Sequence, residues 1–181
     1  MMKFRRSGII VSLLIAALIV SGAVFYLVNL HTNPGKSRML EILDTGSGKV
    51  YGRWPLEETG EFAIEFIHSV NQSPVREFFG IDDKVIHKRD LRIRTKAVRF
   101  SSFGAGMMSD LEPGMSISQD GDAMVITGFN TSHKELNYIV GTVSDHVLFI
   151  NGDTVSLQKL CGKNARITIR YNAMRNTGGK K

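Results

Sequence analysis

Cysteine is the scarcest functional group in this chain: Cys161 is the only one in 181 residues. One thiol closes no internal disulfide and builds no cysteine-based zinc site. Within "LQKLCG" it reads as a small buried hydrophobe rather than a nucleophile. The common enzyme signatures are missing as well: no G-x-S-x-G elbow, no H-E-x-x-H zinc helix and no Walker loop. His31, His87 and His133 stand apart in linker, basic stretch and loop, without metal-ligand spacing, so neither a metal nor another cofactor is expected.

Long apolar runs are absent except at the start. Lys3, Arg5 and Arg6 precede "SGIIVSLLIAALIVSGAVFYLVNL", which runs to Leu30. As a helix rising 1.5 Å per residue, about 20 such residues match a bilayer core of ~30 Å. The leading cations favour a cytoplasmic N-terminus, with everything that follows outside. Ser21-Gly22-Ala23 offers a signal-peptidase site as the rival reading, but Val24–Val28 carry the apolar run past it, which suits an uncleaved anchor. The expected localisation is therefore the cytoplasmic membrane, single-pass, or secretion if the segment is cleaved.

The net charge of +6 is misplaced for a nucleic-acid ligand. Lys3, Arg5, Arg6, Lys36, Arg175, Lys180 and Lys181 account for seven of the 23 basic residues; the other 16 share residues 38–174 with all 17 acidic ones. The middle of the chain is thus nearly neutral, and the basicity belongs to the membrane flank and the tails. One local exception, "KVIHKRDLRIRTKAVR", holds seven Lys or Arg between 84 and 99. Because Arg92, Arg94 and Lys96 alternate with Leu91, Ile93, Thr95 and Ala97, it reads as the solvated face of one long strand.

Helical periodicity is scarce beyond "HTNPGKSR", a polar linker with Pro34 and Gly35. What is present is a succession of strand-like stretches divided by turn residues: "RMLEILD", "GKVYGRW", "EFAIEFIH", "VREFFGID", "LRIRTKAVRF", "MSISQ", "AMVITGF", "LNYIVG", "HVLFING" and "ARITIRY". "TVSLQKL" supplies one helical turn with Ser156 as its cap. The expected fold is all-β, an antiparallel sandwich or distorted barrel of about nine strands behind one N-terminal transmembrane helix. The expected divisions are an anchor at 1–30, a linker at 31–37, an all-β domain at 38–172 and a disordered tail at 173–181.

"ILDTGSG" imitates the way aspartic proteases present a catalytic aspartate. That chemistry needs two carboxylates sharing a proton, and the motif occurs once. A hairpin turn accounts for it better, and "DGD" at 120–122 reads as another turn. "FIHSVNQSPVREFF" then carries the most chemistry. Pairing 61–68 with 75–82 so that opposite residues sum to 143 joins the apolar faces of Phe62, Ile64 and Phe66 with those of Val75, Phe79 and Ile81. It also sets Glu77 opposite Phe66 and diagonal to His68. A histidine beside a carboxylate is part of a triad, with Ser69, Ser73, Ser101 or Ser102 as the third member, or else a satisfied polar pair at a loop.

"FIHSVNQSPVREFF", "RFSSFGAGM", "VITGFN", "VGTVSDHVLFING" and "SLQKL" resemble, in that order, the bacterial domain-of-unknown-function family 1850, across about 38–171. The stretch 82–96 is longer and more basic than the family pattern. The resemblance implies a small secreted or singly anchored protein whose gene accompanies TRAP transporters of the TAXI-receptor subclass. It supplies no activity.

The leading expectation is a non-enzymatic, membrane-anchored extracytoplasmic accessory of TRAP-type solute uptake. Its partners would be the transporter receptor or permease subunits, or a small organic solute. The candidate surface gathers His68, Ser69, Ser73, Arg76, Glu77, Ser101, Ser102, Gly104, Gly106, Asn130, Asp145 and His146 at strand ends, with Arg76 or His146 meeting a carboxylate. The alternatives are a hydrolase using a serine with His68 and Glu77, and a purely structural domain docking through its basic strand.

Overall fold

Alternation of apolar and polar residues predicts ten strands, and all ten form. The computed structural model describes residues 38–57, 59–70, 72–82, 91–101 and 111–173. The strands are β1 (Arg38–Asp44), β2 (Val50–Pro55), β3 (Phe62–Ile67), β4 (Pro74–Ile81), β5 (Ile93–Phe100) and β6 (Ser116–Asp120). They continue with β7 (Ala123–Thr127), β8 (Ser132–His133), β9 (Glu135–Ile139), β10 (His146–Ile150), β11 (Asp153–Ser156) and β12 (Arg166–Ala173). The two strands beyond those ten are β8 and β11, two and four residues long, too short for any period to show.

Every pairing is antiparallel. One sheet runs β2-β1-β12-β9; the larger runs β11-β10-β3-β4-β5-β7-β6, with β8 added beside β5. The barrel alternative is not realised, since both sheets end in unclosed edges among the described residues. The anchor call falls on 1–30, outside the described residues, among which no helix is long and apolar enough to cross a membrane.

Leu40, Ile42, Ile167, Ile169 and Tyr171 from the smaller sheet and Phe62, Ile64, Phe79, Ile93, Leu148 and Ile150 from the larger belong to one buried cluster. The two sheets therefore share a core, and burying a Leu, Ile or Phe side chain stabilises by roughly 1.5–3 kcal/mol. A second cluster of Val75, Phe100, Ile126 and Phe129 lies farther along the larger sheet. The expected hairpin of β3 and β4 is present with its faces correct but its register moved by two residues. Phe66 stands opposite Val75 and Ile64 opposite Glu77. A shift of two leaves every side chain on its face, which is why face patterning could not detect it.

The turns follow their local chemistry. "DTGSGK" is the β1–β2 hairpin turn: Asp44 Oδ1 accepts from the Ser47 N–H at 2.7 Å, the Ser47 hydroxyl at 2.8 Å and the Gly46 N–H at 3.1 Å. Its carboxylate is spent on its own backbone, as in an Asx-turn. "DGD" is the tight β6–β7 turn. The predicted helical turn is α1 (Leu157–Cys161), capped by Ser156, whose side chain accepts from the Lys159 N–H at 3.1 Å.

Cys161 packs against the core, and burial pushes its thiol up to about 11. That implies roughly a hundredfold less thiolate than an ordinary cysteine near neutral pH. Iodoacetamide labelling of the native protein at pH 7.5 should lag labelling in urea by at least an order of magnitude; equal rates would place the thiol at the surface.

Candidate functional site

The residues singled out from sequence do not form one surface. Ser102, Gly104 and Gly106 lie outside the described residues. His68, Ser69, Ser73, Ser101, Asp145 and His146 do gather at one end of the larger sheet. β3 ends and β4 begins there, with Ile67 opposite Pro74; β5 ends there, with Phe100 opposite Val75; β10 begins there, with His146 opposite Phe66. Asn130 departs toward the other end, beside Phe129, whose carbonyl accepts from Arg94 Nη2 at 3.3 Å. Arg76 and Glu77 are successive strand residues, so they project to opposite faces rather than to a common mouth.

The expected His68–Glu77 dyad is not assembled. Glu77 faces Ile64, four residues or about 13 Å along β3 from His68. His68 instead organises the β3–β4 turn: its N–H donates to the Ser73 carbonyl and its carbonyl accepts from the Gln72 N–H, both at 2.9 Å. Gln72 in turn donates from Nε2 to the Ser69 carbonyl at 2.6 Å.

The true partner of Glu77 is Tyr138, whose hydroxyl donates to Glu77 Oε2 at 2.6 Å. Glu77 lies on the inner face of the larger sheet, between Ile64 and Val98, and Tyr138 lies opposite Ile167 in the smaller one. The bond therefore ties the two sheets together. Burial pushes the Glu77 carboxyl up, against the hydrogen bond from Tyr138 and the charge of His133, which pull it down. Burial and the facing carboxylate push the Tyr138 hydroxyl up. His146 stacks on Phe66 at 5.2 Å between centroids and meets Tyr138 edge-on at 6.0 Å. Its Nδ1 accepts the Gly141 N–H at 3.1 Å, so the ring carries its proton on Nε2. Burial pushes its pKa down, against the Asp145 charge. Asp145 Oδ1 accepts from the Gln158 N–H at 2.8 Å, and Gln158 Nε2 donates to the Gly141 carbonyl at 2.9 Å. These groups fasten the 141–145 loop to α1 and one sheet to the other.

The outer face of the larger sheet carries what the sequence reading missed. Phe149, Ala63, Phe78 and Ala97 stand side by side on β10, β3, β4 and β5, each opposite the next in register. Alternating large and small residues leave a notch over Ala63 between two rings. The notch opens into a groove of about 470 Å³, rimmed by Glu61, Lys96, Asn151 and Asp153. β5 bulges beside the rim: Phe78 pairs with Ala97 but Phe79 with Thr95, so Lys96 is unpaired and exposed and Ala97 joins it on the outer face. The Lys96 stem crosses Gly80, where a Cβ would lie 2.7 Å from Lys96 Cε. Beside the groove Arg76 spans to β10, held by Glu65 Oε2 at 2.8 Å from both Nε and Nη2, and lies over the Phe149 ring at 4.1 Å. The in-register row was the available signal, and only the true register aligns it.

The family described as "Domain of unknown function (DUF1850)" matches residues 62–157, more than half of the chain. The chain belongs to the DUF1850 family. Neither the curated proteins nor the solved structures gave a match. The DUF1850 segment runs from β3 to the first residue of α1. It holds Phe78, Lys96 and Phe149 of the groove and Glu77, Tyr138 and His146 of the inter-sheet link. Most of the smaller sheet, with β1, β2 and β12, falls outside it.

Proposed function

We propose that this DUF1850 member is a non-enzymatic extracytoplasmic binding domain, an antiparallel β-sandwich held at the cytoplasmic membrane by its N-terminal segment, serving a TRAP-type solute uptake system. The groove over Ala63 carries this reading: apolar floor, few polar groups at its edge, and a size within the range of small-molecule sites. It is built on four hydrogen-bonded strands, a support rigid enough to hold a ligand in one geometry. The loop end, with Val70 and Val143 exposed beside His68 and Asp145, is the face offered to a transport subunit.

Incubating the purified domain with a polar metabolite extract, then washing and mass spectrometry of retained solutes, tests the groove. At least one solute should be retained by the wild type and lost on Phe78→Ala, a half-buried outer-face change that leaves the core intact. Identical recoveries from both proteins would overturn the reading.

A further inference from the structure

The charged groups at the groove indicate a ligand class, an inference that rests on the binding reading above. Lys96 and Glu61 converge on one corner: their Cε and Cγ atoms come within 2.7 and 3.6 Å of the point a Gly80 Cβ would occupy. No ion pair joins them, and neither meets another charged partner among the described residues. The stems of a lysine and a glutamate thus meet at one corner of the groove, with neither charge taken up by an ion pair. A ligand bearing one charge would satisfy one of them and oppose the other. A ligand with adjacent carboxylate and ammonium groups would satisfy both.

The apolar floor sets the rest of the molecule. From Gly80 to Ala63 is one strand across and two residues along, about 8 Å by sheet spacing. An aromatic side chain attached to a head group at the Gly80 corner reaches the notch and enters it between Phe78 and Phe149. Ring pairs in such a slot attract one another beyond what the burial of their area contributes. Arg76, held by Glu65 over the Phe149 ring, stands outside the groove lining, and its charge is already balanced.

We infer that the groove takes a free α-amino acid with a large apolar, best aromatic, side chain. Its carboxylate sits at Lys96, its ammonium at Glu61 and its side chain over Ala63.

Titration of the full chain in detergent, followed by calorimetry, uses L-phenylalanine, 3-phenylpropionate and 2-phenylethylamine as probes. L-Phenylalanine should bind at least tenfold more tightly than either singly charged analogue, and Lys96→Met and Glu61→Gln should each weaken it about tenfold. Gly80→Ala, which displaces the Lys96 stem without touching the core, should do the same. Equal affinity for 3-phenylpropionate and L-phenylalanine would overturn the zwitterion assignment while leaving a ligand groove. No binding of the three probes, with Phe78-dependent retention of some other solute, would likewise overturn the assignment and spare the binding reading. No binding and no Phe78-dependent retention would overturn both.

Discussion

Replacing Glu41 by alanine is expected to lower stability by about 3 kcal/mol, seen as a fall in melting temperature of roughly 10 °C. Glu41 is on the outer face of the smaller sheet yet only 1% exposed. Arg53 on β2 donates from Nε to Oε1 at 2.7 Å; Arg170 on β12 donates to Oε2 from Nη2 at 3.1 Å and Nε at 3.2 Å. Asn172 Nδ2 adds a bond to Oε1 at 2.9 Å. One carboxylate thus cross-links the two strands flanking β1. Opening a buried pair costs about 3–5 kcal/mol, and the lower end applies because Arg53 and Arg170 are 48% and 46% exposed and rehydrate when released.

The pH dependence identifies the cause. Burial raises the Glu41 pKa, but the hydrogen bonds from Arg53, Asn172 and Arg170 and the Arg170 charge outweigh it and hold the carboxyl below its ordinary value. A depressed folded pKa contributes stability that is present above the unfolded carboxylate value and is lost as pH falls through the folded one. The gap between wild type and Glu41→Ala should therefore be widest near neutrality and shrink in acid. Thermal melts from pH 7 down to pH 2 measure it. A gap that does not change with pH would mean the clamp acts by packing alone.

The strands were legible because each buries one face, and a period of two survives in eight residues such as 74–81. The loop end was legible for the same reason: once β3 and β4 are a hairpin, His68, Ser69 and Ser73 must lie at its turn. The polar pairing was not. Whether Glu77 meets His68 or Tyr138 depends on a two-residue register shift that keeps every face, and on β9, which joins a different sheet 61 residues away. The groove was hidden for a related reason. Phe149, Ala63, Phe78 and Ala97 are scattered over 87 residues and become a row only through three successive registers. The place of Ala97 in that row needs a bulge, because the alternation from which β5 was read turns Lys96 outward and Ala97 inward.

Tyr138→Phe is expected to destabilise by about 2 kcal/mol near neutral pH, because it strips a desolvated carboxyl of its hydroxyl donor and opens a bond between the sheets. Glu77→Gln is expected to behave differently. The amide oxygen accepts the same Tyr138 hydrogen bond, and it never ionises. Burial raises the Glu77 pKa over the opposing effects of Tyr138 and His133, so the folded protein holds this proton more tightly than the unfolded chain. The resulting stability is complete below the unfolded carboxylate pKa of about 4.3 and is lost as pH rises through the folded value. Wild type and Glu77→Gln should be nearly equal at pH 4, and the glutamine variant should gain on the wild type as pH increases. Glu41, with its depressed pKa, tilts the other way, so the buried Glu41 and the half-buried Glu77 oppose each other across the acidic range. Urea unfolding at pH 4, 6 and 8 separates them. Parallel pH profiles for wild type and Glu77→Gln, or a Tyr138→Phe protein within 0.5 kcal/mol of wild type throughout, roughly the scatter of a silent surface change, would show that Glu77 stays solvated and that the sheets are joined by apolar contact alone.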